Sequence, residues 1–106
     1  MIPRSVVFHP AVEDEIAAIY AHYEQFDAVL PGRFEARLDE QVERLAMFPD
    51  SGAILFEDYR RVLLTRFPYM AAYVVRDDRI DVLAVVNVRR DPVWIEETVS
   101  GRAERD

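Results

Sequence analysis

Residues 67–94 read FPYMAAYVVRDDRIDVLAVVNVRRDPVW, and this stretch decides the fold. Two runs rich in valine, tyrosine and leucine, over 69–76 and 79–89, have the length and composition of β-strands. Asp77 and Asp78 separate the two runs, and aspartate tolerates the backbone angles of tight turns better than most residues. The stretch therefore predicts a pair of antiparallel strands.

Further elements flank this pair on both sides. The run over 59–67 has the same strand-like composition and is set off by Pro68, which makes a three-stranded antiparallel meander. After the meander, Asp91 and Pro92 suit the cap and the first residue of a short helix, and Gly101 suits its end.

The first half of the chain has the periodicity of helices. A β-prone run over 6–8 precedes a helix over about 10–25, which begins beside His9. A second helix follows Asp27 as its cap and stops at 49–52. The two apolar stripes comprise Val12, Ile16, Ile19, Tyr20 and Tyr23, and then Phe34, Leu38, Val42, Leu45 and Phe48. Two such helices with a short connection predict an antiparallel hairpin.

These elements predict an α+β fold: an N-terminal strand, an antiparallel two-helix hairpin, a three-stranded antiparallel meander and a short C-terminal helix. We expect one domain over 1–106, with its core at about 5–95 and a frayed tail over 101–106. The residues that we expect to be buried are Ile16, Ile19, Leu38, Val42, Leu45 and Val82.

The strands do not alternate cleanly between apolar and polar residues. In the last strand one face carries Ile80, Val82, Ala84, Val86 and Val88, and the other carries Leu83 and Val85. Two helices cover only one face of such a sheet, so apolar surface is left on the other. Either a protein partner covers that surface, or the loop over 49–58 and the C-terminal segment fold over it.

Composition excludes several classes of function. The 106 residues carry a net charge of −7, which argues against a general affinity for nucleic acid. Cysteine is absent and there are two histidines, so we expect no metal site and no cofactor. All 13 basic residues are arginine. Seven of them lie in 59–90 against three acidic residues, and this basic block suits a local anionic partner.

Targeting signals are not apparent in the sequence. No apolar run approaches the roughly 20 residues that cross a bilayer, and MIPRSVVFHP at the N-terminus has no signal-peptide core. We therefore expect a cytoplasmic protein that does not contact a membrane.

Taken in order, six pieces of the sequence resemble one protein family. They are FHPAVEDEIAAIYAHY over 8–23, the helix stop at Pro49–Gly52, Phe67-Pro68-Tyr69 with Tyr73, the Asp77-Asp78 turn, the strand over 82–85, and Arg89-Arg90-Asp91-Pro92 with Trp94. Together they resemble the RelE/ParE superfamily of bacterial toxins, which belong to type II toxin–antitoxin modules. The resemblance covers about 5–95 and is closest to the ParE-like branch.

The resemblance implies two different activities. Some members of the superfamily are ribonucleases that cut mRNA in the ribosomal A site, whereas known ParE-like members poison DNA gyrase. Membership also implies that a cognate antitoxin neutralises the toxin. The resemblance therefore implies binding to a target such as DNA gyrase, and from the net charge we expect no direct contact with nucleic acid.

Ribonuclease chemistry is poorly supported by the residues present. Metal-free RNA cleavage needs a base, an acid and cations on the phosphate. By the resemblance, ribonuclease members place a basic residue where Met70 stands and a histidine or tyrosine near Asn87. Methionine cannot donate a hydrogen bond, and an asparagine amide does not shuttle protons near neutral pH. We therefore expect no catalytic residue. A ribosome-dependent endoribonuclease and a non-toxic member that keeps only antitoxin binding remain the alternatives.

Candidate binding residues come from the basic block and the strands. The target-binding candidates are Arg60, Arg61, Arg66, Arg89, Arg90 and Trp94. The antitoxin-binding candidates are Tyr69, Tyr73, Leu83 and Val85. Each group also has a purely structural interpretation. For the arginines, that interpretation is solubility, or local ion pairing with Asp91 or Glu96. For the aromatic residues that interpretation is core packing, including an anchor for the terminal helix.

Overall fold

The structure is a computed structural model that describes residues 2–104. In chain order its elements are β1 (Ser5–Phe8), α1 (Pro10–Glu24), α2 (Leu30–Met47), a 3₁₀ turn (Pro49–Ser51), β2 (Ala53–Phe56), β3 (Tyr59–Leu63), β4 (Tyr69–Val75), β5 (Arg79–Asn87) and α3 (Pro92–Ala103). The strands form one sheet in the order β1-β5-β4-β3-β2. β1 runs parallel to β5, and the other neighbours are antiparallel. The predicted α+β fold is confirmed.

Local chemistry at the helix starts explains two of the three helices. His9 accepts a hydrogen bond from Ala11 N on its Nδ1 at 3.1 Å and so caps α1. Asp91 caps α3, because its Oδ1 accepts from Val93 N at 3.0 Å. The prediction that Asp27 caps α2 is wrong. The Asp27 Oδ1 accepts from Val29 N in a turn that precedes the helix.

One predicted loop contains a strand. The segment over 49–58 forms the 3₁₀ turn and then β2, which pairs with β3 through a two-residue turn at Glu57 and Asp58. Glu57 has a φ of 47°, in the left-handed region that such tight turns require. The sheet therefore has five strands in the described residues, where the sequence predicted four.

The two faces of the sheet have separate cores. The hairpin covers one face and buries Val12, Ile19, Phe34, Leu38, Leu45 and Val82 among others. On the other face α3 packs Ile95, Val99 and Ala103 against β4 and β5, with Leu55 and Phe56 of β2 beside them. Of the six residues expected to be buried, Ile16 and Val42 are half-buried and the other four are buried. The chain itself thus covers most of the second face, as one of the two alternatives proposed.

A bulge in β5 changes which residues share a face. The pairing shifts between Ala72↔Ala84 and Tyr73↔Val82, so Leu83 is an extra residue in its strand. Leu83 and Ala84 both lie in the α3 core, and Val85 returns to the hairpin core. The predicted grouping of Val82 with Ala84 on one face is therefore wrong.

Two charged side chains satisfy the backbone at this bulge. Glu15 of α1 accepts from Val85 N at 3.0 Å, and Arg102 of α3 donates to the Leu83 carbonyl at 2.9 Å. Glu15 and Arg102 also form an ion pair at 3.0 Å. These contacts connect the last turn of α3 to α1 and to the bulge in β5. The C-terminal end of α3 differs from the prediction. Gly101 does not end the helix, because α3 continues to Ala103. Residues 105–106 of the expected frayed tail lie outside the described residues.

The stability of the protein at alkaline pH tests how Tyr20 of α1 packs against α2. Burial, followed by the charge of Glu35 and its hydrogen bond, raises the pKa of Tyr20 from 10.0 to about 12. The protonated phenol therefore stabilises the fold fully below pH 10, and this contribution is lost as the pH rises from 10.0 to about 12. We expect Tyr20→Phe to flatten this loss in urea unfolding across that window. An equal alkaline loss of stability in both proteins would contradict the expectation.

Candidate functional site

A cleft of about 510 Å³ lies on the α3 side of the sheet. We call it the α3 cleft, and its apolar walls are Leu55, Leu63, Met70, Val88, Pro92 and Ile95. Arg61, Arg90 and Glu96 supply its charged lining. Its volume falls in the range of roughly 300–1,000 Å³ that is typical of ligand sites.

Strand register explains which residues line this cleft. Arg61 pairs with Ala72 and Leu63 pairs with Met70, so both β3 residues lie on the face that α3 covers. The cleft opens to solvent at the edge of the surface that α3 covers. Leu63 is 52% exposed and Val88, just after β5, is 39% exposed. Apolar side chains are therefore accessible next to arginine.

The start of α3 holds Arg90 against Trp94. The guanidinium carbon of Arg90 lies 3.7 Å from the centroid of the Trp94 ring, which is a cation–π contact. Asn87 shapes the turn before it, because its Oδ1 accepts from Arg89 N at 2.8 Å. Among residues 2–104 neither Arg89 nor Arg90 forms an ion pair, so the predicted pairing with Asp91 or Glu96 is wrong. Trp94 is half-buried and packs on the α3 core, as the anchor interpretation predicted.

The structure separates the remaining target-binding candidates. Arg60 lies on the hairpin face, where its Nη1 donates to the carbonyls of Gly52 at 2.8 Å and Asp50 at 3.2 Å. Its role is to hold the 3₁₀ turn against β3. Arg66 lies in the turn between β3 and β4, where it lines a second pocket with Arg33 and other residues.

Three of the four antitoxin-binding candidates offer no surface to a partner. Tyr73, Leu83 and Val85 are at most 1% exposed, so these assignments are corrected to core packing. The Tyr73 hydroxyl donates to the Pro49 carbonyl at 2.8 Å and accepts from Gly52 N at 3.0 Å. Burial is also the main cause that raises the pKa of this phenol. Tyr69 alone is half-buried, and it contacts the aromatic rings of the hairpin.

The positions expected to differ from a ribonuclease are structural. Met70 is buried and forms part of the cleft wall, and the Asn87 amide is used in the turn. In the described part of the chain, no three His, Asp or Glu side chains converge where they could hold a metal ion. No helix within 2–104 is long and apolar enough to cross a membrane. The arrangement offers cations and apolar surface for binding.

Comparisons with known proteins agree with this architecture. The family model for the ParE toxin of the type II toxin–antitoxin system parDE matches residues 6–92. Toxin ParE2 from two strains of Mycobacterium tuberculosis is 31% identical over 104 residues, covering 93% of this chain and 95% of the relative. The structure titled chromosomal ParDE TA system from P. aeruginosa superposes with a TM-score of 0.71 at 23% identity, over 81% of this chain and 97% of that chain.

Fold and similarity together define the class of this protein. It is a small α+β toxin of the RelE/ParE superfamily, as the sequence pattern indicated. Within that superfamily the chain belongs to the ParE toxin family of type II toxin–antitoxin systems. Membership in this family implies a cognate antitoxin as a partner.

Proposed function

We propose that this chain arrests growth by binding a protein target, DNA gyrase, through the α3 cleft, and that its cognate antitoxin neutralises it in the cytoplasm. One observation carries the proposal. Within 2–104, Arg61 and Arg90 have no ion-pair partner, and they line the same cleft as the exposed side chains of Leu63 and Val88. Gyrase as the target follows from the ParE resemblance.

The chemistry of the cleft suits a protein surface. Protein interfaces are enriched in arginine and tryptophan, and their strongest contacts combine an apolar anchor with a desolvated polar group. Trp94 holds Arg90 in place, so less side-chain entropy is lost when Arg90 binds a carboxylate. Apolar walls such as Leu63 and Val88 then exclude water around that pair.

The same residues argue against RNA cleavage. A ribonuclease site needs groups that transfer protons, and neither Met70 nor the Asn87 amide does so. Arginine side chains only donate hydrogen bonds, so Arg61 and Arg90 do not supply the base. Binding is therefore the activity that this cleft supports.

Reversing the charges of the cleft should strongly weaken toxicity. We expect Arg61→Glu with Arg90→Glu to weaken inhibition of DNA gyrase at least tenfold, because both cations are lost from one apolar surface. The measurement is supercoiling by purified gyrase, together with growth and DNA damage signalling after induction in a bacterial host. Arg4→Glu is the control, since Arg4 is exposed, donates to the Arg76 and Asp77 carbonyls and does not line the cleft.

Three results would contradict the proposal. Codon-phased mRNA cleavage in translating ribosomes would identify a ribonuclease instead. Induction of the wild-type chain without any growth defect would indicate a non-toxic member that keeps only antitoxin binding. Equal gyrase inhibition by the wild type and the double variant would show that the target binds elsewhere.

A further inference from the structure

Helix α2 and the turn between β3 and β4 form a second pocket, of about 490 Å³. We call it the tip pocket, because it lies where the hairpin connection begins. Its lining comprises Tyr23, Leu30, Arg33, Arg37, Arg66 and Phe67. The Tyr23 and Phe67 rings meet edge to face at 5.3 Å and give it an aromatic wall. It lies on the hairpin side of the sheet, opposite the α3 cleft.

The charges of this pocket are not balanced within the chain. Arg37 pairs with Glu40 at 2.9 Å. Among residues 2–104, Arg33 and Arg66 have no carboxylate within 4.0 Å. Three guanidinium groups lining one pocket repel each other, and an external anion would relieve that repulsion. This gathering of cations is notable in a chain of net charge −7.

The backbone at Arg66 adds a second, independent observation. Its φ is 73°, in the left-handed region that favours glycine, and only Glu57 shares a positive φ among the described residues. An arginine at such a position costs stability, and strained residues of this kind cluster at functional sites. This loss of stability is explained if the Arg66 guanidinium binds a partner.

Apolar surface beside the pocket points to a protein rather than a free anion. Phe26 is 70% exposed and Val29 is 53% exposed, in the connection that leads into Leu30 of the pocket. A small anion would make no use of these side chains, whereas a peptide with acidic and apolar residues would contact both features. Tyr69, the one antitoxin candidate that keeps accessible surface, packs against Tyr23 with ring centroids 6.3 Å apart.

We propose that the tip pocket is the docking site for an acidic segment of the cognate antitoxin. Carboxylates of the segment pair with Arg33 and Arg66, and an apolar side chain next to them covers Phe26 and Val29. This inference rests on the proposed function, because it assigns the antitoxin to the tip pocket and the target to the α3 cleft. The two partners then recognise opposite sides of the sheet.

Charge reversal in the tip pocket tests the assignment. The protein encoded beside this chain's gene serves as the antitoxin, and stopped-flow binding is followed across a salt series. We expect Arg33→Glu with Arg66→Glu to lower the association rate at low salt by about tenfold or more and to flatten its salt dependence. The matched control for Arg33→Glu is Arg44→Glu. It reverses one charge on the same side of α2, about three turns along the helix.

A second pair of variants separates binding from stability. Arg66→Gly relieves the backbone strain and removes the guanidinium, so we expect a higher melting temperature together with weaker antitoxin binding. Glu57→Gly relieves strain at the other positive φ and should raise the melting temperature while leaving antitoxin binding unchanged. The comparison is informative even where a doubly reversed variant does not fold.

The outcomes distinguish the two proposals. If the antitoxin binds the wild type and all tip-pocket variants equally, the docking assignment is wrong and the proposed function stands. If the variants lose gyrase inhibition but keep antitoxin binding, the pocket serves the target and the assignment is again wrong. If the antitoxin neither binds nor neutralises the wild type, the proposed function itself fails.

Discussion

Gly52→Ala is expected to destabilise the folded protein by about 3 kcal/mol or more, since the new methyl group has no space. A Cβ at this position would lie 2.5 Å from the Tyr73 hydroxyl oxygen and 2.7 Å from the Arg61 carbonyl oxygen. One of these atoms belongs to the backbone of β3, and the other to a ring that is fully buried. Neither can move away without disturbing the sheet.

The loss would extend to a buried hydrogen-bond network. The Tyr73 hydroxyl accepts from Gly52 N and donates to the Pro49 carbonyl, which joins the end of α2 to the centre of the sheet. A shifted ring would leave these buried polar groups unsatisfied, at a cost of about 1–3 kcal/mol each. Arg60, which donates to the Gly52 carbonyl, would lose its contact as well.

The chain provides a matched control for this substitution. Gly32 lies within α2, and a Cβ there would meet no atom within 4 Å. Gly32→Ala should stabilise the protein by about 0.5–1 kcal/mol, because alanine has the higher helix propensity. Urea unfolding of the two variants and the wild type measures both effects. Equal stability of Gly52→Ala and the wild type would show that the 3₁₀ turn relaxes freely.

The sequence predicts those parts of the fold that depend on local chemistry. The stripes of α1 and α2 repeat along one helix each, and the caps at His9 and Asp91 depend on residues two positions away. Composition likewise indicated the strands of the meander. For these elements the signal lies in residues that are close together in the chain, so the elements can be predicted directly from the sequence.

Other features depend on contacts between distant segments. β2 is four residues long and forms only because β3 lies beside it. The bulge at Leu83 is stabilised by Glu15 and Arg102, from two different helices. Neither interaction leaves a periodic signal in the sequence. This is why the faces of β5 were assigned wrongly after the bulge.

The residues of the candidate sites likewise divide into those that the sequence indicated and those that only the folded structure brings together. Arg61, Arg90 and Trp94 could be singled out from the basic block and the resemblance. The α3 cleft brings Arg61 and Arg90 together, and Trp94 lies against Arg90. Arg33 was missed, since on α2 it looks like any solvated helix residue. Its meeting with Arg66 is decided by how the hairpin packs on the sheet.

Removing Phe34 should have the second large effect on stability. Phe34 is fully buried between the hairpin and the sheet. Its ring centroid lies 5.6 Å from that of Phe67, 5.7 Å from that of Tyr69 and 6.0 Å from that of Tyr20. Rings at these distances and near-perpendicular angles attract each other in addition to burying apolar area. This single side chain therefore connects both helices to the turn between β3 and β4.

Phe34→Ala is expected to lower the free energy of unfolding by about 3–5 kcal/mol, because it removes the ring and leaves a cavity. Phe26→Ala is the matched control for stability alone, because Phe26 is 70% exposed in the same hairpin and should change stability by no more than about 0.5 kcal/mol. Because Phe67 and Tyr23 line the tip pocket, Phe34→Ala should also weaken antitoxin binding through loss of their support. Urea unfolding and antitoxin titration measure the two effects, and a loss below about 1 kcal/mol would contradict the central position of Phe34 in the core.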